Sequence, residues 1–307
     1  SMKILVTGGA GFIGSHICEY LLNHGYQVSI LNTYSDLAFK NIATIKNKIV
    51  PIWGSVTDRE SVEKAARGHN LVVHLAARIH VDESIDEPLT YLETNILGTY
   101  NILEAIRKNG NQQRLIYWSS CEVYGEPAKG KLSESSELRP QSPYAASKAA
   151  AERLCFSYFK TYGTKVMIPR FFNIFGPRQK YGIRGALIPT MIEKAFDKEP
   201  LVVSGDGRQT RDYLFIDDVI SAFSIILKNP KLNGQTINFA SGENASVIDI
   251  ASYIAKKLKV KIKHGPSRPG EVMSFPANIS LAGSLGFKPK VSIWQGIDRY
   301  IAWRLQK

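Results

Sequence analysis

Thr7-Gly8-Gly9-Ala10-Gly11-Phe12-Ile13-Gly14 is the stretch of sequence that decides the fold. A strand predicted over Lys3–Thr7 precedes it, and a helix predicted over Gly11–His24 follows it. In such a strand–loop–helix unit, Gly8 permits a tight turn, Gly11 lets backbone approach a pyrophosphate, and Gly14 allows the helix to pack closely on the strand. The sequence therefore predicts a dinucleotide-binding loop. Its predicted contacts to the dinucleotide are Gly8, Gly11, Phe12, Ile13 and Gly14.

Short β-rich segments alternate with helical patterns in the first half of the chain, which predicts a parallel sheet. Further strands are predicted over Gln27–Leu31, Ile49–Trp53, Leu71–Leu75, Arg114–Ser119 and Lys165–Arg170, and further helices over Arg59–Arg67, Leu89–Lys108 and Tyr144–Tyr162. Beyond Arg170 prolines separate shorter elements. We therefore predict an α/β Rossmann fold, with a doubly wound parallel sheet in residues 1–170. A smaller C-terminal substrate lobe is predicted in residues 171–307, with some segments returning to the first domain.

Composition limits the class of protein. Hydrophobic residues make up 44% of the 307 residues and charged residues 21%, which is ordinary for a soluble globular protein. No run of about 18 apolar residues occurs, so no membrane span is predicted. The early strand leaves no room for a signal peptide, and three scattered cysteines suit neither a disulfide framework nor a zinc site. We expect a cytoplasmic protein without a bound metal.

The formal net charge is +12. Nucleic-acid binding requires basic residues on one element, together with aromatic side chains that stack on bases. Here the lysines are spread along helices and tails, as in Lys256-Lys257-Leu258-Lys259. The charge therefore favours a solvated surface and a phosphate-rich small ligand, and we expect no nucleic-acid partner.

Two positions bear on which dinucleotide binds. The end of the second strand, where such folds place an acidic residue on the adenosine ribose, carries Asn32, and Ser55 follows the third strand. Asn32 can still bond a ribose hydroxyl, and no arginine follows closely to hold a 2′-phosphate, which favours NAD over NADP. The remaining predicted cofactor contacts are Val56, Leu75, Ala76, Ala77, Tyr144 and Lys148.

Tyr144-Ala145-Ala146-Ser147-Lys148 places a tyrosine and a lysine one helical turn apart, on the same face. A tyrosine with a pKa near 10 is a poor base at neutral pH, but the ammonium of Lys148 favours its phenolate. Ser120, in Ser119-Ser120-Cys121-Glu122-Val123-Tyr124-Gly125, would share the hydrogen bond to the reacting oxygen. The pattern predicts a site that takes the hydroxyl proton of an alcohol during its oxidation.

The glycine loop, Ser120, Tyr144, Lys148 and Arg170-Phe171-Phe172-Asn173-Ile174-Phe175-Gly176-Pro177 together resemble the extended short-chain dehydrogenase/reductase family. Within that family the chain resembles the nucleotide-sugar epimerases and dehydratases, over nearly its whole length. The resemblance implies NAD as cofactor and a nucleotide sugar, first of all a UDP-sugar, as substrate. It also implies a homodimer formed through the helices that begin near Leu89 and Tyr144.

Cys121 and Glu122 separate the enzymes of this family. In the dTDP-glucose 4,6-dehydratases the matching pair is Asp-Glu: the Glu removes the proton at sugar carbon 5, and the Asp protonates the oxygen that leaves carbon 6. The 4-epimerases need no such base. The Cys-Glu-Val-Tyr-Gly arrangement resembles the tunicamycin-type UDP-N-acetylglucosamine 5,6-dehydratases. This resemblance implies Glu122 as base and Cys121 as acid.

The replacement of Asp by Cys121 is chemically reasonable. A thiol with a pKa near 8.5 is protonated at neutral pH, and it does not raise the pKa of the adjacent Glu122 as a second carboxylate would. Two alternatives stay open. Cys121 could be a small packing residue, since free cysteine behaves as a hydrophobe, and Glu122 could be a structural carboxylate, as decarboxylases of the family also carry Glu there.

Four residues match substrate-binding positions of the family. The resemblance assigns Asn173 to the sugar or its diphosphate, and it assigns Arg211 and Arg268 to the diphosphate, whose oxygens guanidinium groups bind bidentately. His80 opens the stretch His80-Val81-Asp82-Glu83-Ser84-Ile85, which resembles a His-Val-Asp-Arg-Ser-Ile signature of the dehydratases.

The leading prediction is an NAD-dependent nucleotide-sugar dehydratase. It would oxidise the sugar transiently at carbon 4 and eliminate water across carbons 5 and 6, as a 5,6-dehydratase or a 4,6-dehydratase. The first alternative is a UDP-hexose 4-epimerase acting on UDP-glucose or UDP-N-acetylglucosamine. The second is a non-catalytic NAD(H) sensor on the same fold, against which the intact Ser120, Tyr144 and Lys148 argue.

Overall fold

The computed structural model describes residues 1–307, which form two compact units. The first unit contains Ser1–Val123, Pro140–Arg170 and Phe223–Ile237. The second unit contains Tyr124–Arg139, Phe171–Ala222 and Asn238–Lys307. Each unit is therefore assembled from three separate stretches of the chain.

The strands, in chain order, are β1 (Lys3–Thr7), β2 (Gln27–Asn32), β3 (Val50–Trp53), β4 (Leu71–His74), β5 (Arg114–Tyr117), β6 (Ser119–Ser120), β7 (Lys165–Phe171), β8 (Asn173–Phe175), β9 (Leu201–Ser204), β10 (Thr210–Phe215), β11 (Thr236–Phe239), β12 (Asn244–Ser246) and β13 (Ile262–Gly265). The α-helices are α1 (Phe12–Asn23), α2 (Asp36–Asn41), α3 (Arg59–Ala66), α4 (Val81–Asp86), α5 (Pro88–Tyr91), α6 (Gly98–Lys108), α7 (Pro143–Tyr162), α8 (Leu187–Phe196), α9 (Ile216–Lys228), α10 (Val247–Leu258), α11 (Ser280–Ser284) and α12 (Ile293–Leu305). A π-helical turn spans Leu92–Leu97, and 3-10 turns span Cys121–Tyr124 and Pro230–Leu232. None of the helices could serve as a membrane span, and even the longest, α7, carries four charged side chains among its 20 residues.

The largest sheet has eight strands in the order β11-β7-β5-β4-β1-β2-β3, with β6 paired to β7. The pairs β1–β2, β2–β3, β1–β4, β4–β5 and β5–β7 are all parallel. The strand order reverses between β1 and β4. Because parallel crossovers are right-handed, the helices on either side of this reversal cover opposite faces of the sheet. The predicted doubly wound Rossmann fold is confirmed.

The central strands are apolar on both faces, since helices cover the sheet on each side. Ile4, Leu5 and Val6 in β1 are fully buried. One face forms a core with α3, α6 and α7. Its members include Leu5, Val62, Val72, Ile102, Ile106, Leu115, Cys155 and Val166. This packing fixes the strand ends where the predicted site lies.

Two predicted elements are interrupted in the structure. The strand predicted over Arg114–Ser119 ends at Tyr117 and is followed by the separate β6. The helix predicted over Leu89–Lys108 contains the π-helical turn, which accommodates one extra residue. Both interruptions occur where a polar side chain, that of Ser119 or Asn95, bonds a side chain of α7.

The sequence pattern does not reveal α2 and α4. Each has six residues, fewer than two full turns, so no helical period can be read from it. Both are nevertheless capped at the N-terminus. The Ser35 hydroxyl accepts a hydrogen bond from the backbone of Ala38, and the His80 ring accepts one from the backbone of Glu83.

The second unit contains two small sheets. In the three-stranded sheet β12-β10-β8, β10 is antiparallel to β12 and parallel to β8, while β13 and β9 form a parallel pair. The Asp218 carboxylate in α9 accepts backbone hydrogen bonds from Lys290 and Val291. These bonds fix the chain just before α12, which begins with a capping box formed by Ser292 and Gln295.

The close approach of α1 to β1 requires glycine at two positions. A Cβ atom on Gly14 would lie 2.1 Å from the carbonyl oxygen of Gly8. Gly8 has φ +69°, and a Cβ there would lie 3.0 Å from the backbone nitrogen of Ala76. Glycine therefore lets the start of the helix lie directly against the ends of β1 and β4.

Substitution of Gly14 tests this packing. Because the added methyl group would meet backbone rather than a mobile side chain, we expect Gly14→Ala to cost about 2 kcal/mol and to lower the thermal midpoint by roughly 5 °C. Gly283→Ala is the matched control, because nothing lies within 4 Å of a Cβ at that position. Circular dichroism melts would measure both variants, and a wild-type midpoint for Gly14→Ala would contradict the packing argument.

Candidate active site

The glycine loop between β1 and α1 is held by two side-chain amides. Asn32 Oδ1 accepts a hydrogen bond from the backbone nitrogen of Ala10 at 3.1 Å, and Asn41 Nδ2 donates to the carbonyl oxygen of Ala10 at 3.0 Å. Asn32 Nδ2 donates to the carbonyl oxygen of Thr33 at 2.8 Å. Asn32, the predicted ribose contact, therefore lies against the loop. Sequence reasoning missed Asn41 because the short α2 that carries it shows no periodicity.

The start of α1 fits a pyrophosphate. Gly11 occupies the N-cap position and makes no side-chain capping bond, and the first turn contains no acidic residue. Backbone N–H groups and the helix dipole at such an end attract an anion. The predicted contacts Phe12, Ile13 and Gly14 form the first turn of this helix. The residues present therefore fit the dinucleotide predicted from the sequence.

Two predicted cofactor contacts lie in the turn after β3. Ser55 Oγ accepts from the backbone nitrogen of Thr57 at 3.1 Å and lies 2.7 Å from the Thr57 hydroxyl. Val56 is buried, and its carbonyl oxygen accepts a hydrogen bond from Asn101 Nδ2 at 2.9 Å. These hydrogen bonds attach the turn to α6 and fix its backbone conformation.

Three further predicted contacts follow the end of β4. The backbone nitrogens of Leu75 and Ala76 each lie 3.1 Å from Thr7 Oγ1, to which they donate. Ala77 comes next, and all three residues are half-buried. The ends of β1 and β4 are thus joined by a side chain as well as by the sheet. The sequence did not show this role of Thr7.

Tyr144 and the residues from Ser120 to Glu122 form one cluster. Tyr144 is the second residue of α7, and its backbone nitrogen donates to Ser84 Oγ at 3.0 Å. The Ser120 side chain is hydrogen-bonded to the Tyr144 phenol and also accepts from the backbone nitrogen of Glu122 at 3.2 Å. Cys121 is buried and Glu122 half-buried, both in the 3-10 turn. The structure therefore brings four of the five predicted catalytic residues together.

The phenol of Tyr144 is protonated at neutral pH in the protein alone. Burial raises the pKa of Tyr144 above its ordinary value, and the charge of Glu122 raises it further, while the hydrogen bond from Ser120 lowers it. The lowering expected from Lys148 therefore does not outweigh burial. The negative charge of Glu122 is therefore one of the causes, after burial, that keep the pKa of the Tyr144 phenol high.

Lys148 lies one turn further along α7 and is buried. Its Nζ donates to the carbonyl oxygen of Trp118 at 2.5 Å and lies 4.7 Å from the centre of the Tyr117 ring. Burial lowers the pKa of Lys148 to about 8, although the neighbouring Cys155 and Glu152 act in the opposite direction. The ammonium therefore keeps its charge at neutral pH.

Glu152, one turn beyond Lys148, forms a buried ion pair with Arg170. Glu152 Oε2 accepts from Ser119 Oγ at 2.7 Å and from Arg170 Nε at 2.9 Å. Burial by itself would raise the pKa of Glu152, but the hydrogen bonds and charge of Arg170 and the bond from Ser119 lower it. The ionised carboxylate thus joins α7, β6 and β7, and it fixes the residue next to Ser120.

His80 is a helix cap near this cluster. Its Nδ1 accepts from the backbone nitrogen of Glu83 at 3.1 Å. Glu83 Oε2 accepts from the Tyr91 hydroxyl at 2.9 Å, and the carboxylate also pairs with Arg78 at 3.6 Å. The Tyr91 ring meets the Tyr144 ring edge-on, with centroids 6.3 Å apart. A contact of His80 with substrate stays a prediction.

The other predicted substrate residues belong to the second unit. Asn173 begins β8, and Arg211 is the second residue of β10. The Arg211 guanidinium lies 4.9 Å from the centre of the Phe275 ring, and its Nη1 donates to the carbonyl oxygen of Thr210 at 2.8 Å. Stacking of this kind pre-orients an arginine for a phosphate.

Arg268 lines a polar cleft of about 390 Å³. Other residues of this cleft are Ser204, Asp206, Gln209, Ser267 and Glu271. Arg211 does not line it. The second unit therefore offers two separate guanidinium groups, one stacked and one at the edge of a cleft.

Sequence reasoning missed several side chains that hold the cluster, among them Ser84, Tyr91 and Glu152. Glu152 follows Lys148 by four residues and so shares its helix face, which is the signal that could have indicated it. Ser84 and Tyr91 give no such signal, because they reach Tyr144 from other elements.

Known proteins resemble the chain over almost its full length. The family described as GDP-mannose 4,6 dehydratase matches residues 5–300. The putative UDP-glucose 4-epimerase of Methanocaldococcus jannaschii is 34% identical over 303 residues, which cover 98% of this chain and 97% of that protein. Sequence similarity thus connects the chain both to a dehydratase family and to a protein named as an epimerase.

Solved structures agree with this assignment. Pal from Bacillus thuringiensis has a TM-score of 0.94 and 34% identity, with 99% of each chain covered. The dTDP-glucose 4,6-dehydratase DesIV from Streptomyces venezuelae, solved with NAD bound, has a TM-score of 0.92 and 30% identity, covering 100% of this chain and 98% of that one. NAD, the cofactor predicted from the sequence, is the one carried there. The chain belongs to the nucleotide-sugar epimerase and dehydratase family of the extended short-chain dehydrogenases/reductases.

Proposed function

We propose that this enzyme is an NAD-dependent nucleotide-sugar dehydratase, which oxidises a UDP-linked hexose transiently at carbon 4 and eliminates water across carbons 5 and 6. One observation carries the proposal. The Ser120 side chain is hydrogen-bonded to the Tyr144 phenol and accepts a hydrogen bond from the backbone nitrogen of Glu122 at 3.2 Å, so Glu122 lies next to the residues that would act on carbon 4. A base is thereby available beside the group that works on carbon 4, which simple inversion at that carbon does not require.

Tyr144 and Ser120 serve the first step. The Tyr144 phenolate takes the proton of the hydroxyl at carbon 4, and the Ser120 hydroxyl bonds the same oxygen as it becomes a ketone. Since burial keeps the phenol protonated in the protein alone, positive charge must favour the phenolate during the reaction. The ammonium of Lys148 supplies part of that charge.

Glu122 and Cys121 serve the elimination. A ketone at carbon 4 makes the proton on carbon 5 acidic, and the Glu122 carboxylate takes it. The bond between carbon 6 and its hydroxyl oxygen then breaks, the Cys121 thiol gives its proton to that oxygen, and water leaves. An alkene between carbons 5 and 6 remains. The hydride that NAD would have taken from carbon 4 would return to the sugar, so the product is lighter than the substrate by one water and no external oxidant is consumed. The buried Cys121 thiol suits the acid role because it is uncharged. It therefore does not disfavour the ionised form of the adjacent Glu122 carboxylate.

The glycine loop and the first turn of α1 would hold NAD, together with Asn32, Ser55, Val56 and the segment Leu75–Ala77. When bound, NAD supplies the two-electron acceptor for the oxidation at carbon 4 and the positive charge of its nicotinamide ring. We propose NAD rather than NADP as the physiological cofactor. Asn32 offers an amide at the ribose position, and no arginine follows it closely in the sequence to hold a 2′-phosphate.

The second unit would bind the nucleotide diphosphate. Arg211, already oriented by Phe275, and Arg268, at the edge of the polar cleft, both suit phosphate oxygens. Asn173 would contact the sugar or the diphosphate. A UDP-sugar is the substrate class we propose, in keeping with the UDP-glucose named for the relative from M. jannaschii.

A UDP-hexose 4-epimerase is the second candidate. That reaction needs Ser120, Tyr144 and Lys148 but no base at carbon 5. The name of the M. jannaschii relative favours it, since that protein is described as a putative UDP-glucose 4-epimerase. The two reactions differ in whether the substrate loses its carbon 5 proton.

We also propose that the enzyme is a homodimer. Leu92, Leu97 and Tyr100 are exposed large hydrophobic residues in the first unit, with exposed fractions of 41%, 43% and 37%. Together with Ile96, Leu154 and the exposed Glu93 they line one mainly apolar groove. A second copy of this chain, presenting the same groove, would bury these side chains symmetrically.

Replacement of Glu122 by Gln tests the elimination. With a UDP-hexose carrying deuterium at carbon 5, the wild-type enzyme should release the label to water and form a product lighter by one water. Glu122→Gln should slow this release by at least about 100-fold, because it removes the general base. Glu126→Gln, an exposed neighbour, should behave like the wild type. Mass spectrometry and proton NMR measure both outcomes. An isomeric product that retains the label would instead establish the 4-epimerase.

Lys148 should make stability depend on pH. Burial disfavours its charged form, so between about pH 8 and its ordinary pKa of 10.5 the unfolded chain binds more protons than the folded one. Stability therefore rises with pH in this range. Lys148→Met removes the titrating group. The amount by which the free energy of unfolding of this variant exceeds that of the wild type should therefore be about 2 kcal/mol smaller at pH 9.5 than at pH 7. Urea denaturation without NAD measures this difference. The exposed Lys256→Met is the control, and a difference independent of pH would contradict the argument.

A charge in the apolar groove tests the dimer. The wild-type protein should elute with twice the mass of one chain in size-exclusion chromatography with light scattering. Leu97→Glu should yield the mass of one chain, because burying an unpaired carboxylate is costly. Ile183→Glu, at a fully exposed apolar residue elsewhere, should keep the dimer mass. A dimer that survives Leu97→Glu would exclude this groove as the interface.

A further inference from the structure

His74, the last residue of β4, is buried, and each of its ring nitrogens has a hydroxyl partner. Nδ1 lies 2.6 Å from Thr7 Oγ1, and Nε2 lies 3.0 Å from Thr99 Oγ1. A neutral histidine donates from one nitrogen and accepts at the other. The neighbouring hydrogen bonds decide which nitrogen carries the proton.

The Thr7 hydroxyl fixes the role of Nδ1. Its oxygen accepts from the backbone nitrogens of Leu75 and Ala76, at 3.1 Å each, and the Leu75 nitrogen also donates to the Thr7 carbonyl oxygen at 3.2 Å. A hydroxyl has two lone pairs and a single proton, so that proton is left for His74. Nδ1 is therefore the acceptor, and Nε2 carries the hydrogen.

The chain of hydrogen bonds continues from Nε2 to α7. His74 Nε2 donates to the Thr99 hydroxyl, which in turn donates to the carbonyl oxygen of Asn95 at 2.7 Å. Asn95 Nδ2 donates to Ser147 Oγ at 2.8 Å, and the Ser147 hydroxyl donates to the carbonyl oxygen of Tyr144 at 2.7 Å. Each hydroxyl in this series of hydrogen bonds donates to a single acceptor. All the bonds from His74 to Tyr144 therefore have a defined donor and acceptor.

Asn95 also binds the segment that follows β4. Its Oδ1 accepts from the backbone nitrogen of Arg78 at 2.8 Å, and its Nδ2 donates to the Arg78 carbonyl oxygen at 2.9 Å. The residue lies in the π-helical turn, where the regular helix is locally widened. Asn95 therefore binds both Arg78, which directly follows the proposed cofactor segment 75–77, and Ser147 in the helix of Tyr144.

The His74 ring stays uncharged, so the donors and acceptors in this series of hydrogen bonds do not change with pH. Burial lowers the pKa of His74 to about 3, and the positive charge of Lys148 lowers it further. The other groups bonded to the ring are the hydroxyls of Thr7 and Thr99, which do not titrate near neutral pH. The ring is thus uncharged throughout the neutral range, and its tautomer is set by geometry.

We propose that His74 is a positioning residue which, as the single tautomer protonated at Nε2, joins the dinucleotide loop to the backbone of Tyr144. Through Thr99 and Asn95 it fixes the phenol relative to the ends of β1 and β4. The inference deepens the proposed function, because it rests on Tyr144 acting on the sugar hydroxyl there.

The tautomer can be measured directly in the whole enzyme. The chain has six histidines, and ring ¹⁵N labelling with long-range proton correlation distinguishes the two neutral forms. The His74 signals, identified by their loss in His74→Gln, should show the Nε2–H form unchanged between about pH 5.5 and 8.5. An Nδ1–H form, or a ring that titrates in this range, would overturn the proposal.

A pair of substitutions at the buried Thr99 tests the positioning itself. Thr99→Val keeps the shape and removes the hydroxyl, whereas Thr99→Ser keeps the hydroxyl. We expect Thr99→Val to lower kcat about tenfold with KM and the NAD dissociation constant within about twofold, because the phenol is displaced while the binding groups stay. Amide hydrogen exchange in residues 144–148 should become about tenfold faster. Thr99→Ser should restore both values.

The outcomes separate this inference from the proposed reaction. Wild-type kcat and exchange in Thr99→Val, or equal impairment in Thr99→Ser, would overturn the positioning role. The tautomer and exchange measurements need no sugar, so they decide that role whatever the enzyme's product is. Retention of the carbon 5 label, with the tautomer and exchange results as expected, would overturn the elimination alone.

Discussion

The contact between the start of α1 and the ends of β1 and β4 is the constraint on which the rest of the site depends. Gly8 and Gly14 make it possible, since a side chain at Gly14 would meet backbone. Thr7, immediately before the loop, then binds the backbone that follows β4. From there hydrogen bonds lead from His74 through Thr99 and Asn95 to Ser147 in α7. The loop that would receive a pyrophosphate is therefore also the reference point for the phenol of Tyr144.

The candidate site keeps a buried charge at the expense of folding stability. Lys148 keeps an ammonium inside the protein, where burial disfavours it. Glu152 offsets part of this cost, while its own charge is satisfied by Arg170 and Ser119. The carboxylate thus has two effects from one position, since it holds β6 against α7 and supports the cation one turn away. Enzymes commonly retain such unfavourable charges at positions where the reaction needs them.

The sequence was sufficient for the fold class and for the cluster around Tyr144. The glycine loop and the alternation of strands and helices are local signals, and Tyr144 and Lys148 share a helix face by spacing alone. The sequence did not reveal the residues that support this cluster, because their roles arise from contacts between elements far apart in the chain. Ser84 meets Tyr144 across 60 positions, and Thr7 meets His74 across 67. The π-helical turn was also hidden, and the hydrogen bond that Asn95 makes from within it goes to Ser147, 52 positions away.

All five residues predicted to carry out the chemistry lie in the first unit, whereas Asn173, Arg211 and Arg268 lie in the second. The second unit also contains its own small sheets and its own capping interactions. With the proposed roles, substitutions that alter nucleotide or sugar preference would fall in one unit, while the proposed acid–base groups would stay unchanged in the other.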